Sequence, residues 1–198
     1  MIQWNDSERR KEVLRYLRYR GGEIETETIT MLDEAIASLR EKTRPADISQ
    51  RYRLEKTGSG IALSGTGLVL PGKHIAKHLT DCGQAVVLAA TLGAEADRLI
   101  HAQFLRDAAR AVILDAAANQ YIEEVCDDAS RSIKQEAAQD GFAVTSRFSP
   151  GYGDLPLTIQ PSLLLLLNAE RRIGLTVTAN LMLVPRKSVT AIIGLSHT

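Results

Sequence analysis

One short segment of the chain combines a cation, a turn and an aromatic hydroxyl. The segment is Arg147-Phe148-Ser149-Pro150-Gly151-Tyr152-Gly153-Asp154. Proline fixes φ and glycine tolerates positive φ, so Ser149 to Tyr152 is predicted to form a type II turn with exposed backbone amides. Arg147 can bind a carboxylate in a bidentate manner, while Tyr152 offers a ring face and a hydroxyl. The segment therefore suits a zwitterionic, partly aromatic ligand, although the same residue types also form ordinary surface turns.

Other side chains capable of chemistry are more isolated. Asp115 lies beside the apolar face of a predicted helix, where a carboxylate is either solvated or directed at a cationic ligand. His74 and His78 are four residues apart on a short predicted helix, which suits either a metal ion or a polar helix face, and no third ligand is evident. No serine lies in a Gly-x-Ser-x-Gly elbow, and Cys82 and Cys126 lie in no nucleophile or metal signature. We therefore expect neither a catalytic residue nor a metal site.

The overall composition favours a protein or small-molecule partner. Lys plus Arg and Asp plus Glu number 24 each in the 198 residues, so no net charge draws the chain to nucleic acid or to a membrane. No stretch approaches the roughly 20 apolar residues of a membrane span, and the run of leucines at 163–167 is predicted to be a buried helix. Two cysteines without CxxC spacing indicate a reducing, cytoplasmic setting.

Hydrophobic periodicity predicts a helical unit at about 8–43 in the N-terminal part. Val13, Tyr16 and Leu17 share a face of a helix at 8–20, which Gly21 and Gly22 are expected to end. A second helix is predicted at 27–40. The first helix also carries basic residues, predicted to be either solvated or directed at an acidic partner: Arg9, Arg10, Lys11, Arg15, Arg18 and Arg20.

Strands and helices then follow in runs. Short antiparallel strands are predicted at 49–70, a helix at 72–79 and a central strand at 85–90. A helix at 95–138 is predicted to bury one face: Leu105, Ala108, Ala109, Val112, Ile113, Ala116 and Ala117. A helix from Pro161 to near Gly174 precedes strands at 175–177, 181–184 and 189–195. The prediction is a single α+β domain over 1–198, an antiparallel sheet with flanking helices.

The segment that begins at Arg147 and the motifs after it resemble the activation domain of cobalamin-dependent methionine synthase. The motifs are Arg147-x-x-Pro-Gly-Tyr152, Ile173-Gly-Leu-Thr-Val-Thr178, Leu181-Met-Leu-Val-Pro185 and Ser188-Val-Thr190. They keep the family's order and spacing over about 50 residues, and Gly67-Leu-Val-Leu-Pro-Gly72 and Ala90-Thr-Leu-Gly93 resemble short standalone members. The resemblance implies the fold of that domain.

The resemblance also implies a ligand and a role. Family members bind S-adenosylmethionine, which methylates cobalamin after an electron donor has reduced it. By position, Arg147, Ser149, Pro150, Gly151 and Tyr152 inherit the contacts to this ligand. The chain carries no Asp-x-His-x-x-Gly motif and no cysteine zinc cluster, so cobalamin is expected on a partner, either a corrinoid-binding protein or a methionine synthase core. A reductase or a flavodoxin-like protein is the implied electron donor.

Three functions follow as hypotheses. The first is a reactivation subunit that offers S-adenosylmethionine to a partner's reduced cobalamin. The second is a non-catalytic interaction module or an activator of another corrinoid methyltransferase. It is suggested by a difference from the family. The family domain continues beyond the strand that begins at Ser188 and supplies a further ligand contact from that continuation, whereas this sequence ends at Thr198. The third is an unrelated small-molecule enzyme that uses the same turn.

Overall fold

The chain folds around one antiparallel sheet. The computed structural model describes residues 5–19, 21 and 24–197. Five of the six strands of the main sheet are β1 (Ala46–Thr57), β2 (Gly60–Leu63), β3 (Leu68–Leu70), β4 (Gln84–Thr91) and β5 (Phe142–Val144); the sixth, β8, is Ser188–His197. Their order is β3-β2-β1-β4-β8-β5, and every neighbouring pair is antiparallel. Strands β6 (Thr176–Val177) and β7 (Leu183–Val184) form a separate hairpin.

Strand β4 is buried on both faces because its sequence is continuously apolar. Ala85, Val87 and Ala89 belong to the core on one side of the sheet. Val86, Leu88 and Ala90 point to the other side, as the period of two in a strand requires. A central position with helices on both faces follows from this composition.

In the described part of the chain, four helices cover one face of the sheet. They are α1 (Asp6–Tyr16), α2 (Thr26–Lys42), α4 (Ala94–Phe104) and α5 (Ala108–Gln139). The predicted stripe of α1 packs here, with Val13 fully buried. The other face carries α3 (Lys73–His78), α6 (Gln160–Leu167) and α7 (Ala169–Ile173), whose core residues include Ile75, Leu163 and Ala169.

The basic face of α1 meets acidic residues of the same chain. Arg9 is 14% exposed and binds Glu124 of α5 through Nε and Nη2 at 3.3 and 3.1 Å. Arg40 of α2 binds the same carboxylate at 2.6 Å. Burial raises the pKa of Glu124, but the hydrogen bonds from both guanidinium groups outweigh burial and leave the pKa below its ordinary value. A solvated face was therefore the wrong interpretation for Arg9.

Two helix predictions need correction. The helix predicted at 95–138 is two helices, because Asp107 caps a new one by accepting a hydrogen bond from the Arg110 amide at 3.1 Å. Of the predicted buried face, Leu105, Ala108, Ala109 and Val112 are exposed, Leu105 by 77%. The buried face of α5 contains Ile113, Ala116 and Ala117 as predicted, together with Ala111, Leu114 and Ala118.

The helix predicted from Pro161 to Gly174 is also divided. A short 3-10 turn at 157–159 leads into α6, which has Pro161 in its first turn, as predicted. Asn168 adopts the left-handed conformation (φ 51°) and separates α6 from α7, which ends at Ile173 and is followed by the left-handed Gly174 (φ 65°). Leu163, Leu164 and Leu167 of the leucine run are buried, whereas Leu165 is exposed.

The expected end of α1 also differs from the structure. The helix ends at Tyr16 rather than near residue 20, and Gly22 of the expected stop signal lies outside the described residues. Within the described ranges, no helix combines the length and apolar character of a membrane span.

Candidate functional site

The turn predicted at Ser149 to Tyr152 is present. The Tyr152 amide donates to the Ser149 carbonyl at 3.1 Å, and Gly151 has φ of 90°. Positive φ at this position is what a type II turn requires of its third residue, and glycine adopts it without strain. The Gly151 amide donates to the Leu155 carbonyl at 2.8 Å, which closes the segment on itself.

Strand β8 holds the start of this segment. Phe148 and Ile192 exchange two backbone hydrogen bonds of 2.9 Å, forming an isolated antiparallel bridge. Three residues earlier, the Thr145 amide donates a hydrogen bond to the Gly194 carbonyl at 3.0 Å. The Thr145 hydroxyl accepts one from the Gly194 amide at 2.9 Å. Arg147 is thus held between two points attached to the central sheet.

Helix α3 holds the end of the segment through Asp154. The Asp154 carboxylate accepts hydrogen bonds from the backbone amides of Lys73 at 2.6 Å and His74 at 3.0 Å. A Cβ at Gly72 would overlap this carboxylate, so the close approach requires glycine there. Partial desolvation raises the pKa of Asp154, but the two amide donors outweigh it and leave the pKa below its ordinary value.

A cavity of about 980 Å³ opens beside the segment. Its walls come from α5, from residues 144–152 and from β8, with single contributions from α6 and β7. The lining residues are Glu123, Asp127, Ser130, Arg131, Lys134, Val144, Thr145, Ser146, Arg147, Phe148, Ser149, Pro150, Tyr152, Gln160, Leu183, Ser188, Val189, Thr190 and Ile193. The volume is at the upper end of the usual range for small-molecule sites.

Arg147 is held against α5 by two carboxylates. Its Nη1 donates to Asp127 at 2.8 Å and to the Ser130 hydroxyl at 3.3 Å, and its Nη2 donates to Glu123 at 2.8 Å. Burial lowers the pKa of Arg147, but Asp127 and Glu123 outweigh burial, so the pKa lies above its ordinary value and the group stays charged. Three of its five N–H groups are used in this way. Nε–H is among the two without a partner within the described part of the chain.

The structure brings together most of the predicted binding residues. Arg147, Ser149, Pro150 and Tyr152 line the cavity, and Tyr152 is 70% exposed at its edge. Gly151 does not line the cavity but gives the turn its shape.

Asp115 lies elsewhere. Its carboxylate is 2.9 Å from Lys187 Nζ, a buried ammonium group that also bonds Asn119 at 2.6 Å. Asp115 is not among the residues that line the cavity. The cation that it contacts is therefore one from its own chain.

Sequence reasoning missed the acidic wall of the site. Glu123 and Asp127 are four residues apart on α5, and this spacing was the available signal that they share a helix face. A second omission is the buried pair of Gln160 and Thr190 in the cavity lining, where the Thr190 hydroxyl donates a 3.3 Å hydrogen bond to the Gln160 side chain.

The two histidines of α3 have different surroundings. His78 Nε2 lies 2.9 Å from the Thr145 hydroxyl and 3.0 Å from the Ser146 carbonyl, and its ring packs on Phe148 with centroids 5.1 Å apart. His74 lies near Asp154, with Nδ1 3.8 Å from its carboxylate. Among the described residues, no group of three or more His, Cys, Asp or Glu side chains is arranged to hold a metal ion.

Comparison with known proteins gives a structural likeness and no sequence match. No protein-family model matches the chain, nor does any curated protein sequence. A solved structure of similar fold is the MetH reactivation domain bound to AdoHcy, with a TM-score of 0.68 and 16% sequence identity. The alignment covers 91% of this chain and 71% of the other. The expected α+β fold, an antiparallel sheet with flanking helices like that of the reactivation domain, is thereby confirmed.

Proposed function

We propose that the cavity beside Arg147 binds S-adenosylmethionine and its demethylated product, and that the chain acts as a reactivation subunit for a corrinoid protein. One observation carries the proposal. Arg147, Ser149, Pro150 and Tyr152 form one wall of a 980 Å³ cavity, in a fold similar to a reactivation domain solved with AdoHcy.

The residues of the cavity fit the chemistry of this ligand. The unpartnered N–H groups of Arg147 suit the ligand's carboxylate, which a guanidinium can bind side-on. Glu123 and Asp127 add carboxylates to the same cavity wall, and carboxylates attract the ligand's ammonium and sulfonium groups. The exposed ring of Tyr152 offers a surface for adenine, and stacking of this kind is favourable without a fixed hydrogen-bond pattern.

The proposed role needs binding and positioning rather than acid–base catalysis. A methyl group on a sulfonium is already electrophilic, so the chain must hold it in place and exclude competing water. Cobalamin would be supplied by a partner, a corrinoid-binding protein or a methionine synthase core, and would accept the methyl group after a reductase or flavodoxin-like protein had reduced it. The demethylated product would remain in the cavity until released.

A second function is favoured by the state of Arg147. Its positive charge is already balanced by two carboxylates at 2.8 Å, an arrangement that would also suit a structural residue. In that case the chain is a non-catalytic module that covers a partner's corrinoid, or an activator of another corrinoid methyltransferase.

Calorimetric titration with S-adenosylmethionine and S-adenosylhomocysteine tests the ligand directly. Saturable binding to the wild type that Arg147→Ala weakens would support the proposal. Absence of binding, even with a corrinoid protein present, would refute it. Methylcobalamin formation, followed by absorbance in a mixture with a corrinoid protein and a reductant, separates the two roles: the reactivation subunit supports it, and the non-catalytic module associates with the partner without it.

A further inference from the structure

A second cavity has Asp154 in its lining and is rich in lysine. Its volume is about 750 Å³, and its walls are the turn between β1 and β2 and the exposed face of α3. Lys56 contributes from the end of β1, and Lys73 and Lys77 contribute from α3. The two helix residues are four positions apart, so their side chains lie on the same face.

These three ammonium groups are not neutralised by the protein. Within the described ranges no carboxylate lies within 4.0 Å of Lys56, Lys73 or Lys77, whereas Lys187 pairs with Asp115 at 2.9 Å. Asp154, the one acidic residue among the described residues of the lining, already accepts hydrogen bonds from the backbone amides of Lys73 and His74. The cavity therefore concentrates positive charge on a chain whose formal net charge is zero.

The remaining lining is small, polar and fixed in shape. The turn contains Thr57, Gly58, Ser59 and Gly60, and the Thr57 hydroxyl donates to the Gly60 carbonyl at 2.9 Å. Gly60 has φ of 146°, and a Cβ there would overlap the Leu70 carbonyl, so the turn is packed closely against β3. The buried side chain of Ile61 adds an apolar element to the lining.

From these observations we infer that the lysine-lined cavity binds a small anionic ligand with one or more phosphate groups. Lysine binds phosphate as a point charge, and the charge of three unpaired lysines matches that of a diphosphate group. A concave site of this volume also accommodates an organic group attached to the phosphate. The site is separate from the cavity beside Arg147, and the inference does not depend on the function proposed for that cavity.

Titration with inorganic pyrophosphate tests the inference. We expect saturable binding to the wild type at low ionic strength, weakening as salt screens the lysines. Each lysine removed should cost roughly fivefold in affinity, the effect of one unit charge about 4 Å from the ligand in water, so Lys73→Gln with Lys77→Gln should weaken binding roughly 25-fold. Lys42→Gln is the matched control, because Lys42 is an exposed lysine at the end of α2.

Three outcomes of the pyrophosphate titration would overturn the inference. One is the absence of saturable binding to the wild type, and another is an equal loss in the Lys42→Gln control. The third is a loss caused by Arg147→Ala instead of by the double lysine variant, which would assign pyrophosphate to the other cavity. Amide chemical-shift changes confined to 56–60 and 73–80 would support it even if a lysine variant folded poorly. Sedimentation with phosphatidate vesicles, without binding of free pyrophosphate, would assign the cavity to a lipid headgroup and refute a soluble ligand.

Discussion

Replacing Arg147 with alanine tests ligand binding and folding separately, because the two effects are expected to differ in size. The guanidinium is 22% exposed and contacts Asp127 and Glu123, each at 2.8 Å. Two of its N–H groups have no partner among the described residues, and these are the groups that we propose bind the ligand. The substitution therefore removes two kinds of interaction, whose sizes can be estimated separately.

The effect on binding should be large. Hydrogen bonds to a charged group contribute about 1.5–3 kcal/mol, which corresponds to roughly 10- to 150-fold in Kd. The effect on stability should be smaller. Glu123 and Asp127 are 45% and 40% exposed, so water screens both ion pairs and each contributes about 0.2–1 kcal/mol. We expect Arg147→Ala to lower the free energy of unfolding by roughly 0.5–2 kcal/mol.

Calorimetry with S-adenosylhomocysteine and urea denaturation measure the two effects. Arg110→Ala is the matched control, because Arg110 also faces two carboxylates, Glu34 at 2.5 Å and Asp107 at 3.7 Å, but lies outside the cavity. It should show a similar loss of stability and an unchanged Kd. Arg147→Lys should recover little affinity, because an ammonium cannot bind a carboxylate side-on while it also holds Asp127 and Glu123.

The reasoning fails if Arg147→Ala is folded and its Kd is within twofold of the wild type. In that case the two carboxylates are the real partners of Arg147, and its role is to hold residues 147–154 against α5. A parallel loss of affinity in Arg110→Ala would also count against a local role, since it would indicate a general effect of destabilisation.

Three further predictions concern other parts of the chain. Glu124→Ala should lower the free energy of unfolding by about 2–4 kcal/mol, because it leaves two guanidinium groups without their shared carboxylate. Asp33→Ala removes an exposed pair and should cost less than about 1 kcal/mol. Equal values for the two variants in urea denaturation would contradict this prediction. Because the folded pKa of Asp154 is lowered, its contribution to stability is present above the ordinary aspartate pKa of about 3.9 and is lost as pH falls through the lowered value, so Asp154→Asn should flatten the acid side of a Tm-against-pH curve. Burial raises the pKa of Cys126 to about 12, so at pH 8 a thiol reagent should modify Cys82 first and reach Cys126 only in denaturant. Rapid labelling of both thiols in the native protein would contradict this prediction and would show that the core opens.

Several features could be predicted from the sequence because their causes are local. The turn at Ser149 to Tyr152 depends on the φ preferences of Pro150 and Gly151, and these preferences are intrinsic to proline and glycine. The central position of β4 follows from an unbroken apolar run, and the end of α7 follows from Gly174. The α+β class likewise follows from the order of these local signals.

Other features were decided only by tertiary structure. Asp107 lies between α4 and α5 and caps the start of α5. The helical periodicity continues across it, so the sequence pattern did not reveal this boundary. The partners of Arg147 lie 20 and 24 residues earlier in the chain, on a helix face that no local pattern distinguishes from a solvated one. That face became part of the site because the contacts of Phe148 with Ile192 and of Thr145 with Gly194 hold Arg147 on β8, within reach of α5. Local sequence therefore determines the conformation of the turn. The electrostatic environment of Arg147 depends instead on the packing of α5 and β8, because the interaction between two charges is strong only when the fold brings them within a few ångströms.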